Sequence, residues 1–145
     1  MSGSAREYIA HDNSTLSKRL EGRLRVIAKQ SVTVWFNHDR LDRLLAEYVS
    51  SLDDCELLYA IDENGRQVSS NIYTDRIENS AYGQDLSQRP YALSLSVLNK
   101  VAAQSAFSCG AYTSRATQRL CATVMYGVTT GSSMMGYIAA DIRLE

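Results

Sequence analysis

The stretch Cys55-Glu-Leu-Leu-Tyr-Ala-Ile61, followed by Asp62-Glu-Asn-Gly65 and then by Arg66-Gln-Val-Ser-Ser-Asn-Ile-Tyr73, decides the fold class. The first segment is a short apolar run of strand length. Asn64-Gly65 tolerates the positive φ angles of a tight hairpin turn. The third segment has the pattern of a returning strand. The sequence therefore predicts a β-hairpin near the middle of the chain.

Two helices are predicted before this hairpin. A stripe of apolar or small residues recurs at alternating spacings of four and three and marks one helical face: Leu20, Leu24, Ile27, Ser31 and Val34. Its average spacing also suits a seam between two helices. Packing against the domain's own core and a role as a signalling or dimer helix therefore both stay open. Asn37-His38-Asp39 then supplies capping side chains for a second helix that ends near Ser50–Asp54.

The second half of the chain is predicted to be mostly strand. Thr74–Gln88 is polar, aperiodic and long for a connection, which is typical of a functional loop. Pro90 suits the first turn of a short helix over Tyr91–Ala103. Three antiparallel strands follow, near Ala106–Ser114, Arg119–Thr129 and Met134–Arg143. This order predicts an α+β domain with an antiparallel sheet and flanking helices.

Composition narrows the class of protein. The 145 residues fit one domain, and 45% of them are hydrophobic. The net charge is only −1, so the chain as a whole has no electrostatic attraction to nucleic acid or to an anionic membrane. No apolar run approaches the roughly 20 residues that span a bilayer, and no signal-peptide pattern opens the sequence, so a soluble domain is expected. Met1–Ser4 resembles a cloning remnant as much as a natural start.

Catalytic and metal-binding patterns are absent from the sequence. Cys55, Cys109 and Cys121 show no C-x-x-C or zinc spacing; burial as small hydrophobes and a Cys109–Cys121 bridge both stay open. His11 and His38 have no metal-ligand spacing, and His38 is interpreted as part of a helix cap. No nucleophile elbow, P-loop or dinucleotide fingerprint occurs. We therefore expect no enzyme, no metal and no cofactor.

Four stretches together resemble the Cache domains, also called PDC sensor domains, of bacterial chemoreceptors, histidine kinases and cyclic-di-GMP enzymes. In order they are Leu57–Ser69, Gly83–Tyr91, Cys109–Ser114 and Met135–Ile142. They match a strand–turn–strand of the type l-y-a-D-x-x-G, a loop closing on R-P-Y, a Y-x-S strand and a final G-x-x-x-x-D-I strand. The resemblance implies a PAS-like antiparallel sheet of about five strands with a long N-terminal helix. Residues 1–15 would form an N-terminal extension and residues 16–145 a single sensor domain.

The resemblance also implies a ligand pocket between the sheet and the loop from Thr74 to Tyr91. An arginine binds a carboxylate with two parallel hydrogen bonds, so Arg89 would hold a small anion beside Tyr91. The alternative is that Arg89 pairs with Asp85 or Asp75 and only fixes the loop.

Asp141 stands in an apolar strand and needs a partner, because burying a lone carboxylate is costly. In amino-acid-sensing members of the family, the matching aspartate binds the ligand's amino group; a bond to a backbone amide or an arginine is the alternative. Tyr112 matches the aromatic residue of the Y-x-S strand. Ser114 stands where amino-acid sensors carry aspartate, which favours a carboxylate without an ammonium group. Hydroxyl groups for such a ligand are expected from Ser108, Ser114 and Thr123.

The resemblance implies a sensor domain that binds a small carboxylate or an amino acid and signals to an output domain. That output would be a diguanylate cyclase or phosphodiesterase, a kinase or a chemoreceptor module. An extracytoplasmic location is expected, with a cytoplasmic one open, as is a homodimer through the N-terminal helix. The alternative is a PAS-like interaction or dimerisation scaffold that binds no small ligand.

Overall fold

The computed structural model describes residues 2–86, 107–108, 112–113, 118, 120–131 and 133–144, with side chains from Leu16 onward except at 107–108 and 112–113. These residues form two α-helices and seven strand segments. The elements are α1 (Ser2–Ser31), α2 (His38–Tyr48), β1 (Cys55–Asp62), β2 (Asn71–Ile72), β3 (Ile77–Glu78), β4 (Phe107–Ser108), β5 (Tyr112–Thr113), β6 (Leu120–Thr130) and β7 (Ser133–Arg143). Short 3-10 turns cover Val32–Val34, Val49–Ser51 and Asn79–Ala81.

The strand segments form one antiparallel sheet in the order β3-β2-β1-β7-β6-β4, and β5 also pairs with β6. Phe107 pairs with Met125 and Tyr112 pairs with Cys121, so β4 and β5 occupy one position beside β6. Since β3 only extends the sheet by two residues, the main sheet has five strand positions. The predicted α+β class with a PAS-like antiparallel sheet is confirmed.

The predicted hairpin is present, but its second strand is short. Gly65 has φ of 89°, and the backbone N–H of Asp62 donates to the carbonyl of Arg66 at 2.8 Å, which closes the turn. Beyond the turn, the N–H of Ala60 donates to Oγ of Ser69 at 2.9 Å instead of to a backbone carbonyl. A side chain thus replaces a ladder bond, and regular strand pairing resumes only at β2.

One face of the sheet is covered by α1 and α2. Four members of the predicted apolar stripe, Leu20, Leu24, Ile27 and Ser31, are buried there. The fifth, Val34, lies in the 3-10 turn after α1 and is half-buried against the same core. α1 begins at Ser2 and therefore runs through residues 2–15, and the expected domain boundary at residue 16 stays a prediction. Along the described part of the chain, no helix has the length and apolar character required to cross a bilayer.

Trp35, in the turn between the two helices, packs against the sheet at Gly136 of β7. A Cβ atom at Gly136 would lie 2.7 Å from Cζ2 of Trp35 and 2.8 Å from Cα of Asp62, and would also collide with the carbonyl oxygen of Ile61. The indole reaches the sheet only because this position has no side chain.

A second apolar cluster, called here the second core, lies on the opposite face of the sheet. Side chains alternate between the two faces of the sheet along each strand, and those of β1, β6 and β7 that lie on this face form the cluster. Residues of the connection after β2 pack against them. Its buried members are Leu57, Tyr59, Ile61, Tyr73, Leu86, Met125, Tyr137 and Ala139. Much of the Thr74–Gln88 connection is described, and it holds β3 and the Asn79–Ala81 turn. The predicted helix over Tyr91–Ala103 lies outside the described residues.

Candidate functional site

Asp141 is a buried carboxylate on a central strand of the sheet. Its backbone pairs with Leu57 of β1 on one side and with Thr123 of β6 on the other. Because side chains alternate along a strand, Asp141 shares its face with Ala139 and Tyr137 of the second core. Its exposed fraction is 4%. Strand β7, which is otherwise apolar around this position, therefore brings one charged group, the carboxylate of Asp141, to the second core.

Two hydroxyl groups from neighbouring strands bind this carboxylate. Thr123 Oγ1 donates to Asp141 Oδ1 at 2.8 Å, and the phenol of Tyr59 donates to the same oxygen at 3.3 Å. Such bonds offset the cost of burying the charge. Sequence reasoning selected Asp141 and Thr123 and missed Tyr59. The alternation of Leu57, Tyr59 and Ile61 within β1 was the signal that could have found it.

Two further tyrosines of the second core, Tyr137 and Tyr73, have raised pKa values. Burial, with a smaller contribution from Glu63, raises the pKa of Tyr137 to about 12. Burial, followed by the charge of Glu78, raises the pKa of Tyr73, although Arg76 opposes this shift. The face that carries Asp141 therefore contains three phenol groups, those of Tyr59, Tyr73 and Tyr137, as well as apolar side chains.

A cleft of about 680 Å³ opens beside the second core, between the start of β1 and the turn after β2. Its charged lining residues are Asp53, Asp54, Glu56, Asp75, Arg76 and Arg143. Arg143 lies 3.6 Å from Asp54, and Arg76 lies 3.2 Å from Asp75. The guanidinium of Arg76 also covers the ring of Tyr73 at 3.8 Å. Tyr73 thus belongs both to the cleft wall and to the second core.

Of the remaining predicted site residues, the structure describes only the backbones of Ser108 and Tyr112. The backbones of Ser108 and Tyr112 pair with Val124 and Cys121, which flank Thr123 along β6. Arg89, Tyr91 and Ser114 lie outside the described residues. The described chain before the first of them ends at Leu86, which is buried in the second core.

Cys55 and Cys121 are the cysteines that the structure describes, and both are buried. Burial raises the pKa of Cys55 to about 12, with smaller contributions in the same direction from Asp141 and Glu56. Such a thiol holds its proton at neutral pH and is a poor nucleophile. Cys121 is buried as well, and Cys109 lies outside the described residues, so the Cys109–Cys121 bridge stays a prediction. Among the described side chains, no group of three or more histidine, cysteine, aspartate or glutamate residues is placed to hold a metal ion.

The interpretation of His38 as a capping side chain is wrong. Asn37 is the N-cap of α2, and its Oδ1 accepts the N–H of Arg40 at 3.1 Å. The imidazole of His38 instead stacks on the ring of Tyr82, with centroids 3.8 Å apart, and its Nε2 lies 2.9 Å from Oγ of Ser70. The contact with Tyr82 joins α2 to the connection after β2, and the contact with Ser70 joins it to the segment just before β2. Sequence spacing gave no hint of either contact.

No protein-family model matches the sequence, and no curated protein matches it. Several solved structures are similar in fold. The Bacillus subtilis YkuI protein, which has an EAL domain and was solved in complex with substrate c-di-GMP and calcium, aligns with a TM-score of 0.70 and 17% identity over 99% of this chain. An extracellular ligand binding receptor from Desulfohalobium retbaense aligns at 0.68 with 13% identity over 94%. The sensory domain of the Campylobacter jejuni chemoreceptor Tlp3, with isoleucine bound, aligns at 0.61 with 14% identity over 97%.

The present chain spans only part of each of these proteins. It covers 35% of the Bacillus subtilis chain, 24% of the Desulfohalobium retbaense receptor and 54% of the Campylobacter jejuni sensory domain. At these identities the likeness establishes a shared fold. It does not carry over a ligand or an activity.

Proposed function

We propose, on the premise that this chain has a Cache-type sensor fold, that it is the ligand-binding sensor domain of a bacterial signal-transduction protein and not an enzyme. The observation that carries the proposal is the buried Asp141 carboxylate on the face of the sheet away from α1. Burying a charged group in an apolar face costs free energy, and core packing alone does not explain why a carboxylate occupies this position. Binding of a ligand's ammonium group to the carboxylate does explain it.

The proposed ligand is a small carboxylate or an amino acid. Leu86 is anchored in the second core, and Arg89 follows it three residues later in the sequence. This closeness in sequence supports Arg89 as the group that binds the ligand's carboxylate. The other proposed ligand contacts are Tyr91, Ser108, Tyr112, Ser114, Thr123 and, for an amino acid, Asp141.

Binding would act as a signal through differential affinity. A ligand that binds one arrangement of the pocket more tightly shifts the population toward that arrangement. We propose that α1 and β7 pass the shift to an output domain of the cyclase, phosphodiesterase, kinase or chemoreceptor kind, from an extracytoplasmic position. The matches to parts of longer sensory and signalling proteins support this direction. Pairing of two copies through α1 stays part of the proposal.

A second candidate is an interaction scaffold that binds no small ligand. It is favoured by the filling of the second core, where Leu57, Ile61 and Met125 are buried beside the tyrosines. In that case the hydroxyls of Tyr59 and Thr123 serve only to satisfy Asp141. The two candidates differ in whether any small molecule stabilises the domain.

A thermal-shift screen with amino acids and simple carboxylates separates them. A ligand at about 100 times its dissociation constant adds about 2.7 kcal/mol of stability, which gives a clear rise in the unfolding temperature. The screen is repeated on Arg89→Ala and Asp141→Asn. We expect Arg89→Ala to lose the response to every carboxylate. Asp141→Asn should lose the response to amino acids and keep the response to carboxylates that lack an ammonium group.

Matched controls are Arg23→Ala on the exposed face of α1 and Asp39→Asn at the exposed start of α2. Both should respond as the wild type does. If no compound shifts the wild type, or if Arg89→Ala responds fully, the sensor proposal fails and the scaffold is favoured.

A further inference from the structure

The tip of the β-hairpin joins an asparagine directly to a glycine. Asn64 is exposed to water. Gly65 has φ of 89°, a conformation that residues with a side chain rarely adopt, so the turn requires glycine at this position. Of the six asparagines in the chain, Asn64 is the one that precedes a glycine. Because glycine has no Cβ atom to shield its nitrogen, this pair lets the backbone nitrogen reach the side-chain amide of the asparagine with little steric hindrance.

Hydrogen bonds to Asp62 hold the tip closed. Its Oδ1 accepts the N–H groups of Asn64 and Arg66, each at 2.9 Å. Its carbonyl oxygen accepts the N–H of Gly65 at 3.1 Å, which is near the long end of the usual range for such bonds. The Gly65 nitrogen must leave this bond before it can react. A reaction at the tip therefore depends on local opening of the turn, which costs less free energy than global unfolding.

The reaction expected at such a pair exchanges ammonia for water. The nitrogen of Gly65 gives up its proton and forms a bond to Cγ of Asn64, while the bond from Cγ to Nδ2 breaks and ammonia leaves with a proton. Water then opens the resulting cyclic imide at one of its two carbonyl carbons. Attack at Cγ gives aspartate in a normal backbone. Attack at the backbone carbonyl carbon gives isoaspartate, in which the chain continues through the former side chain. No oxidant or reductant takes part.

Residues 83–86, called here the docked segment, bind the hairpin beside this pair. The N–H of Leu86 donates to the carbonyl of Gly65 at 2.8 Å, and the guanidinium of Arg66 donates to the carbonyl of Gly83 at 2.8 Å. Isoaspartate adds a methylene group to the backbone directly before Gly65. The added length displaces the carbonyl of Gly65 from the position that its bond to Leu86 requires.

We propose that Asn64 is a site of spontaneous covalent modification, at which loss of ammonia gives aspartate and isoaspartate, and that isoaspartate at this position releases the docked segment from the hairpin. Both products place a new carboxylate beside Asp62 and Glu63, but only isoaspartate changes the backbone. The proposal concerns the hairpin and the docked segment, and it does not depend on the binding of any ligand.

Peptide mapping by mass spectrometry tests the modification. The purified domain is kept folded at neutral pH and physiological temperature for days to weeks, and isoaspartate is detected by labelling with an isoaspartyl methyltransferase. We expect conversion at Asn64, with isoaspartate as the more abundant product. Conversion should be much slower at Asn37 and Asn71, which precede histidine and isoleucine. A synthetic peptide of residues 59–69, treated in the same way, gives the rate without the fold.

Variants of the tip test which groups control the rate. Asn64→Gln should show no conversion, because its longer side chain would have to form a larger ring. Asp62→Ala removes both bonds of Oδ1 and should speed conversion at Asn64 about fivefold. Asp75→Ala, in an exposed turn elsewhere, is the matched control and should convert at the rate of the wild type. If the folded domain forms no isoaspartate at Asn64 after the peptide has converted completely, the fold prevents the reaction and the proposal is wrong.

Hydrogen exchange tests release of the docked segment. The isoaspartyl form is separated from the unmodified protein by ion-exchange chromatography. We expect the amide of Leu86 to lose protection about fivefold in this form, the effect of one lost backbone hydrogen bond. Freshly prepared Asn64→Asp carries the same charge in a normal backbone and should protect Leu86 as the wild type does.

Amides of the β6–β7 pairing serve as the internal control and should be equally protected in all three proteins. An isoaspartyl form that protects Leu86 as well as the wild type does would overturn the proposed release. So would an equal loss of protection in Asn64→Asp, since the cause would then be the charge and not the altered backbone. A loss that extends to β6 and β7 would also contradict it, because the modification would then destabilise the whole domain.

Discussion

Thr123 donates its hydroxyl hydrogen to Oδ1 of Asp141 at 2.8 Å, across two central strands of the sheet. The two residues are direct partners in the antiparallel register, so their side chains stand side by side on the second core. Both are buried, Thr123 completely. The bond therefore explains how a carboxylate is kept in a strand whose neighbours are apolar.

Removing this donor should destabilise the domain. Thr123→Val keeps the branched shape and removes the hydroxyl, so Asp141 loses a buried hydrogen bond. We expect the free energy of unfolding to fall by about 1–3 kcal/mol, the cost of a buried acceptor that loses its partner. Urea unfolding followed by circular dichroism measures the change.

The matched control is Thr130→Val at the exposed end of β6, which should change stability by less than about 0.5 kcal/mol. Tyr59→Phe removes the second donor to the same oxygen. Because both bonds end on Oδ1, the double variant should show a non-additive loss. Additive losses would indicate that the two hydroxyls contribute independently of each other.

The strands and helices were predictable because their signals are local. Asn64-Gly65 fixes the hairpin turn, and the spacing from Leu20 to Ser31 fixes the buried face of α1. Asp141 could be selected as a site residue because a charge within an apolar strand is conspicuous in a sequence. Its bond to Thr123 depends on a strand register that the sequence does not specify by itself.

Contacts between distant segments escaped prediction. His38 and Ser70 are 32 residues apart, and Tyr59 and Asp141 are 82 apart. No local spacing reports such a meeting, since it depends on how helices and strands pack in three dimensions. The shortened β2 was missed as well: before it, the backbone of Gln67 pairs with Gly83 and Gln84, and the N–H of Ala60 donates to the hydroxyl of Ser69.

Stability should fall in the alkaline range because of Tyr137. Burial raises the pKa of this phenol from 10.0 to about 12, so the folded state retains a proton that the unfolded state has lost between these values. The stabilisation is fully present below pH 10 and disappears as the pH rises through 12. Its slope is at most about 1.4 kcal/mol per pH unit.

Urea unfolding at several pH values between 9.5 and 11.5 measures this slope. Tyr137→Phe should make it shallower. Tyr82→Phe, which removes a half-exposed phenol, should leave it unchanged. If Tyr137→Phe has the slope of the wild type, the proton is retained at another group, with Cys55 the next candidate because its pKa is also raised to about 12.

The N-cap of α2 should contribute measurably to stability. Oδ1 of Asn37 satisfies the N–H of Arg40, one of the unpaired donors of the first helical turn. Asn37→Ala should cost about 1 kcal/mol, and Asn37→Asp should retain most of the stability because aspartate caps equally well. Thermal unfolding compares the three proteins. An equal loss in both variants would point to packing of the asparagine and not to its capping bond.

Gly136→Ala should be among the most damaging single substitutions in the described sheet. The added methyl group would collide with the carbonyl of Ile61 and lie 2.7 Å from the indole of Trp35. Neither neighbour can move easily, because the first is backbone within the β1–β7 pairing and the second is buried. Overpacking of this kind costs about 1–3 kcal/mol and more where backbone must shift.

Gly22→Ala is the matched control, since Gly22 is exposed on α1 and its Cβ would meet nothing within 4 Å. It should raise the free energy of unfolding by up to about 1 kcal/mol, because alanine favours helix over glycine. Trp35→Leu, combined with Gly136→Ala, should recover part of the loss by opening space beside the new methyl group. If the double variant is no better than the sum of the two single changes, the collision with Ile61 dominates, and the close approach of the indole is not what requires glycine at this position.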